Sequence, residues 1–217
     1  MKQLKIYIAS LLTLFGILGF CGHASAQQTT YVIVHGAWGG SWAFKDVATQ
    51  LQQKGNIVYR PSLTGLGERV HLSSPDITIQ TNVLDVVNTI LYEDLHDVVL
   101  VGHSFGGAVI TGVADSIPER IKQLVYLDAI VPNDGESVIS SRSDGREGPE
   151  YHSKDGFVVP DWINPSDPLP HDVPQSLKSF TSPVSWKKPE ALALPATYIF
   201  TVDDLEHPEN DHFYFYA

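Results

Sequence analysis

Gly102-His103-Ser104-Phe105-Gly106 sets a hydroxyl between two glycines. The run follows the apolar stretch Val98-Val99-Leu100-Val101 and leads into Gly107-Ala108, whose small residues open a helical pattern. A serine on a tight turn from strand to helix presents its Oγ as a nucleophile. The flanking glycines let strand and helix come close. The helix start aims backbone N–H groups and a positive dipole at a reacting oxygen. The chemistry such a serine performs is acyl transfer, with the proton passing to a base.

Acyl transfer needs donors for the oxyanion of its tetrahedral intermediate. The N–H of Phe105, directly after the serine, is one. His35-Gly36-Ala37-Trp38 ends an earlier apolar run, Tyr31-Val32-Ile33-Val34, and the N–H of Ala37 is the second. Each such donor is worth roughly 2.7–4 kcal/mol in acyl transfer. The acid should stand at the end of a late strand, where catalytic groups gather in open α/β sheets. Two positions qualify: Asp203-Asp204 after Thr197 to Val202, and Asp128 after Leu124 to Leu127. His35 and His103, at strand ends, read as packing residues.

The elements that must position these groups alternate in type. Strands are expected at Tyr31–Val34, Asn56–Arg60, Val98–Val101, Leu124–Leu127 and Thr197–Val202. Trp42 to Lys54 reads as a helix with Val47, Ala48 and Leu51 on one face. Ile79, Val83, Val86, Val87, Ile90 and Leu91 recur at helical spacing. Ala108 to Ala114 lies on a third helix. Alternation of this kind predicts an α/β fold, a mostly parallel sheet with helices on both faces. Between Pro132 and Pro195 the pattern gives way to proline, glycine, serine and aspartate. The stretch of about 133–195 is expected to be a cap over the site, with Trp162 and Trp186 as its apolar anchors.

The 217 residues suit one domain, and the formal net charge of −11 disfavours nucleic acid and anionic lipid as partners. Lys2, Lys5, the apolar run Ile6 to Phe20 and Ala24-Ser25-Ala26 read as a signal peptide over 1–26, which places the domain at 27–217 in a secreted or periplasmic setting. The run is short for a membrane span, so no stable membrane association is expected. The single cysteine, Cys21, would leave with the leader. That excludes thiol chemistry from the mature chain, and no metal-ligand spacing is present.

VIVHGAWGGSW, PSLTGLGERVHL, VVLVGHSFGGAVITGVAD, ERIKQLVYLDAIVPNDGES and TYIFTVDD resemble the esterase branch of the α/β-hydrolases. That branch includes bacterial aryl- and pyrethroid-type carboxylesterases and, more distantly, plant methylsalicylate esterases and hydroxynitrile lyases. Leu63-Thr64-Gly65-Leu66-Gly67-Glu68-Arg69 is the most family-specific run. The resemblance implies an α/β-hydrolase fold, hydrolysis of a small apolar or aryl ester, and no cofactor or metal. It puts the nucleophile on Ser104, the oxyanion donors on Ala37 and Phe105, and the acid on Asp204, with Asp128 ranked second. It also implies a catalytic histidine one helix and one strand beyond the acid, whereas His207 and His212 stand too near Asp204 for that role. The expectation is therefore a chain that lacks a C-terminal strand and helix. A hydroxynitrile-lyase-type reaction and a non-catalytic binding role on the same scaffold are the alternatives.

Overall fold

The computed structural model describes residues 28–141, 153–202 and 205–207. The leader, Asp203, Asp204, His212 and part of the expected cap lie outside the described residues.

Five parallel strands form the central sheet: β1 (Thr30–Val34), β2 (Ile57–Tyr59), β3 (Val98–Ser104), β4 (Ile121–Ala129) and β8 (Ala196–Ile199), in the order β2-β1-β3-β4-β8. Three main helices connect them: α1 (Lys45–Gln53), α2 (Ile79–Tyr92) and α3 (Phe105–Ser116). The chain steps from β1 to β2 in one direction, then back across β1 to β3 and onward to β4. Right-handed crossovers therefore put α1 on one face and α2 and α3 together on the other. The order reverses between β1 and β3, and the C-terminal ends of strands at such a switch point form a crevice. Ala37 and Ser104 both follow from those two strand ends.

The core explains the elements. Val32, Val34, Leu100 and Leu124 are fully buried, as strands covered on both faces require. α2 buries Ile79, Val83, Val86, Val87 and Ile90 along one stripe, while Leu91 stays exposed. In α3 every residue from Phe105 to Asp115 is buried, so this helix lies inside rather than on the molecule. Its glycines permit that depth. A methyl on Gly112 would stand 2.7 Å from Val83 Cγ2 on α2.

Several boundaries differ from expectation. β3 runs on through Ser104 because the turn residues still pair with β4, with a register shift between His103 and Ser104. The last strand is shorter than expected and leaves the sheet after Ile199. The expected helix over 42–54 divides into a 3-10 turn (Ser41–Phe44) and α1. Of its apolar face only Ala48 is buried. Val47 is exposed, because the short α1 touches the sheet along one narrow line.

The segment between β4 and β8 carries a small antiparallel sheet of β5 (Ser153–Lys154), β6 (Phe157–Val158) and β7 (Gln175–Ser176), and two short helices, α4 (Leu177–Thr181) and α5 (Pro189–Leu192). Asp115, at the end of α3, anchors its return. The carboxylate accepts the N–H groups of Lys187 and Lys188, each at 2.8 Å, and the Ser185 hydroxyl at 2.8 Å. Burial pushes its pKa up, yet these donors outweigh that and hold it below the ordinary carboxylate value. Among the described residues no helix is long and apolar enough to cross a membrane.

Candidate active site

Ser104 sits at φ 51° and ψ −120°, a backbone conformation that a β-carbon disfavours. Such strain persists only when the surroundings over-determine it. Here the surroundings are backbone. A methyl on Gly102 would lie 2.6 Å from the Gly106 carbonyl oxygen. One on Gly106 would lie 2.6 Å from the Val34 oxygen and 2.7 Å from the His35 oxygen. One on Gly107 would lie 2.5 Å from the Ile130 oxygen. The Ser104 carbonyl accepts the Ile130 N–H at 3.0 Å, tying the turn to the end of β4.

Phe105 follows as the first residue of α3, where a backbone N–H has no acceptor within its own helix. Its ring is buried against Phe180, with centroids 5.2 Å apart. The turn after β1 lies beside the serine: Val34 pairs with Gly102, and a methyl on Gly36 would be 3.3 Å from Ser104 Cβ. The structure thus brings Ser104, Phe105 and the Gly36-Ala37 turn to one place.

The histidines nearby are otherwise engaged. His35 is buried; its Nδ1 donates to the Gly36 carbonyl at 2.7 Å and its Nε2 accepts the Leu63 N–H at 3.1 Å. Both ring nitrogens are used, and burial lowers its pKa, so the neutral ring is structural. His103 stacks edge-on to Phe44, and burial lowers its pKa against the opposing charge of Asp128. Leu63 belongs to the run 63–69, whose job is now visible. Asp85 of α2 accepts the Thr64 N–H at 2.6 Å, the Thr64 hydroxyl at 2.7 Å and Arg69 Nη1 at 2.9 Å, fixing the loop that holds His35.

Of the two acid positions, Asp204 lies outside the described residues. Asp128 is the penultimate residue of β4, at φ 40°. Its carboxylate accepts the Thr201 N–H at 2.7 Å and the Thr201 hydroxyl. Those bonds tie β4 to the strand-end segment that leads to Asp203-Asp204. Beside it Tyr198 accepts the Ala129 N–H at 2.9 Å and donates to the Ala129 carbonyl at 2.8 Å. His207 is exposed.

Two features were not legible in the sequence. Trp38 adopts φ 64°, left-handed for a large side chain, and both of its backbone groups are bound by the insertion: its N–H donates to Gln175 Oε1 at 2.8 Å, and its carbonyl accepts the Val173 N–H at 2.9 Å. The second is a cavity of about 580 Å³, lined by Trp42, Gly67, Val70, Leu169, His171 and Asp172 among others, and by none of Ser104, Ala37 or Phe105. Trp162 and Trp186 do not line it either. Trp162 is 62% exposed and stands edge-on to Trp38 at 5.3 Å, while Trp186 packs on the core.

Residues 31–214 match the model of the alpha/beta hydrolase family. A carbendazim-hydrolyzing esterase of a Nocardioides species is 51% identical over 113 residues, which are 52% of this chain and 47% of that protein. A pyrethroid hydrolase of Sphingobium wenxiniae is 33% identical over 49% of this chain and 38% of its own length. The matched region thus spans less than half of these relatives. Among solved structures, an extracellular alpha/beta-hydrolase from a Paenibacillus species superposes with a TM-score of 0.63 at 28% identity, covering 78% of this chain and 76% of that one. That protein is described as sharing structural and functional homology with tobacco salicylic acid binding protein 2. A strained serine on a strand–turn–helix, at the switch point of a parallel sheet, agrees with all of these. The chain belongs to the alpha/beta hydrolase family.

Proposed function

We propose that the protein is a carboxylesterase-type serine hydrolase that cleaves small apolar or aryl esters through an acyl-enzyme. The observation that carries this reading is the strained conformation of Ser104 on a turn fixed by backbone contacts on both sides, next to the Gly36-Ala37 turn. Ser104 Oγ attacks the ester carbonyl and its proton passes to a histidine base. The N–H groups of Ala37 and Phe105 hold the oxyanion, and Asp204 orients the base and stabilises its charged form. The alcohol leaves with the proton, and water then hydrolyses the acyl-enzyme by the same steps. The segment 133–195 is the cap, and its Phe180 packs against the ring of Phe105 beside the serine turn.

The named relatives hydrolyse carbendazim, a carbamate, and pyrethroids, which supports a small apolar substrate with an ester-type carbonyl. An extracellular relative and the apolar N-terminal segment support export with cleavage after Ala26. The acidic charge argues against nucleic acid. The test is turnover of a panel of short aryl and alkyl esters, with the carbamate carbendazim alongside, by the whole protein as its gene encodes it. Hydrolysis that disappears in Ser104→Ala supports the reading. Absence of ester hydrolysis alongside cyanide release from a cyanohydrin would replace it with a lyase.

A further inference from the structure

The turn that carries Ala37 is not held by the sheet alone. Gly39 N–H bonds back to the Ala37 carbonyl at 2.7 Å, closing a tight loop in which Trp38 must take its left-handed conformation. A tryptophan there is strained, and no glycine relieves it. What opposes the strain lies 137 residues away. Gln175, 3% exposed on β7, accepts the Trp38 N–H at 2.8 Å, and its own amide donates to Ser179 Oγ at 2.9 Å. Ser179 in turn donates to the Ser176 carbonyl at 2.7 Å, so the glutamine is locked by its own helix. From the other side the Val173 N–H takes the Trp38 carbonyl. The Trp38 ring is stacked on Phe180 at 5.7 Å.

We infer that Gln175 is a positioning residue for the oxyanion hole: by gripping the backbone of Trp38 it aims the adjacent Ala37 N–H at the reacting carbonyl. The inference rests on the proposed esterase reading. It makes the insertion part of the catalytic machinery through its backbone grip as well as a cover over the site. A flipped peptide at this turn would cost the transition state one donor while leaving the substrate pocket in place. The effect therefore falls on kcat and not on KM.

The test compares Gln175→Met, of similar length but with no acceptor, with Gln175→Glu, which keeps one, and Ser179→Ala, which leaves the Trp38 bond and loosens only its support. Two quantities are read on each: amide hydrogen exchange of the peptide covering residues 36–40, and ester kinetics. Gln175→Met should raise exchange at that peptide and lower kcat by roughly 10- to 100-fold with KM within about threefold, since one full donor is worth about 10²–10³. Gln175→Glu should recover most of kcat, and Ser179→Ala should lose little. If Gln175→Met leaves exchange unchanged, or loosens the turn with kcat intact, the inference is overturned. Should Gln175→Met not fold, an equal loss of kcat in Ser179→Ala and Gln175→Glu would also overturn it. A wild-type protein without ester turnover sinks the function reading alone, and the exchange arm still decides whether Gln175 holds the turn.

Discussion

The serine turn and the insertion are held by opposite means. Around Ser104 the geometry is fixed by backbone in contact with backbone: Gly102, Gly106 and Gly107 each leave no room for a methyl group. The insertion is held by side chains instead: Val158, Phe180 and Val184 buried in the core, Gln175 at Trp38 and Asp115 at the return, with the short helix α4 between the last two. Close-packed backbone leaves one arrangement available. The contrast teaches that Ser104 and the proposed donor Ala37 draw their placement from different layers of the molecule.

The largest effect should come at Asp204, the proposed acid. Asp204→Asn should lower kcat by about 10⁴, as a wrongly oriented histidine does in a serine protease, while Asp128→Asn acts chiefly on thermal stability by weakening the tie to Thr201. Steady-state kinetics of the pair decide it, and a greater kcat loss in Asp128→Asn would reverse the assignment. Next in size is Gly106→Ala. An added methyl against two carbonyl oxygens should cost about 3 kcal/mol or more, read from urea unfolding. A neutral result would mean that the turn is less tightly packed than the sheet around it.

Asp115→Ala should cost about 2–4 kcal/mol through three lost charge-assisted bonds, and should expose the return of the insertion to protease before the rest of the chain. Lys178→Ala, which breaks the exposed ion pair from the insertion to Asp76 ahead of α2, should leave the melting temperature unchanged. Equal effects of the two would erase the distinction between anchor and surface.

The smallest effect is a pH dependence. Burial lowers the pKa of His35 and of His103 from the ordinary 6.5, so the folded protein keeps both neutral where the unfolded chain takes up protons. Stability is then complete above that value and should decline as pH falls below it. Denaturation midpoints measured across that value should fall with acid. A flat profile would mean that these rings are hydrated in the folded state.

Much of the serine turn was legible in the sequence because its determinants are local. The apolar run Val98–Val101, the glycines and the serine lie within a few residues of one another, and each obeys a backbone rule. The parallel sheet was legible for the same reason, although β3 runs three residues beyond the apolar run, because pairing with β4 continues through polar positions. What escaped was non-local. Val47 has helical periodicity but no surface to pack on. Gln175 reads as any polar residue of a loop until the fold brings it to Trp38, and Asp115 reads as an ordinary helix-end carboxylate. The large tryptophans of the insertion read as apolar anchors of a cap; Trp162 stands edge-on to Trp38, and Trp186 packs on the core.

The central claim is that Ser104 is the nucleophile, and the most direct measurement is the site of covalent modification by a fluorophosphonate. Mass spectrometry of the digested, labelled protein should find one adduct, on the peptide that contains Ser104. Ser104→Ala should take no label while keeping the wild-type melting temperature. Persistent labelling of that variant, or an adduct on any other residue of the wild type, would contradict the account.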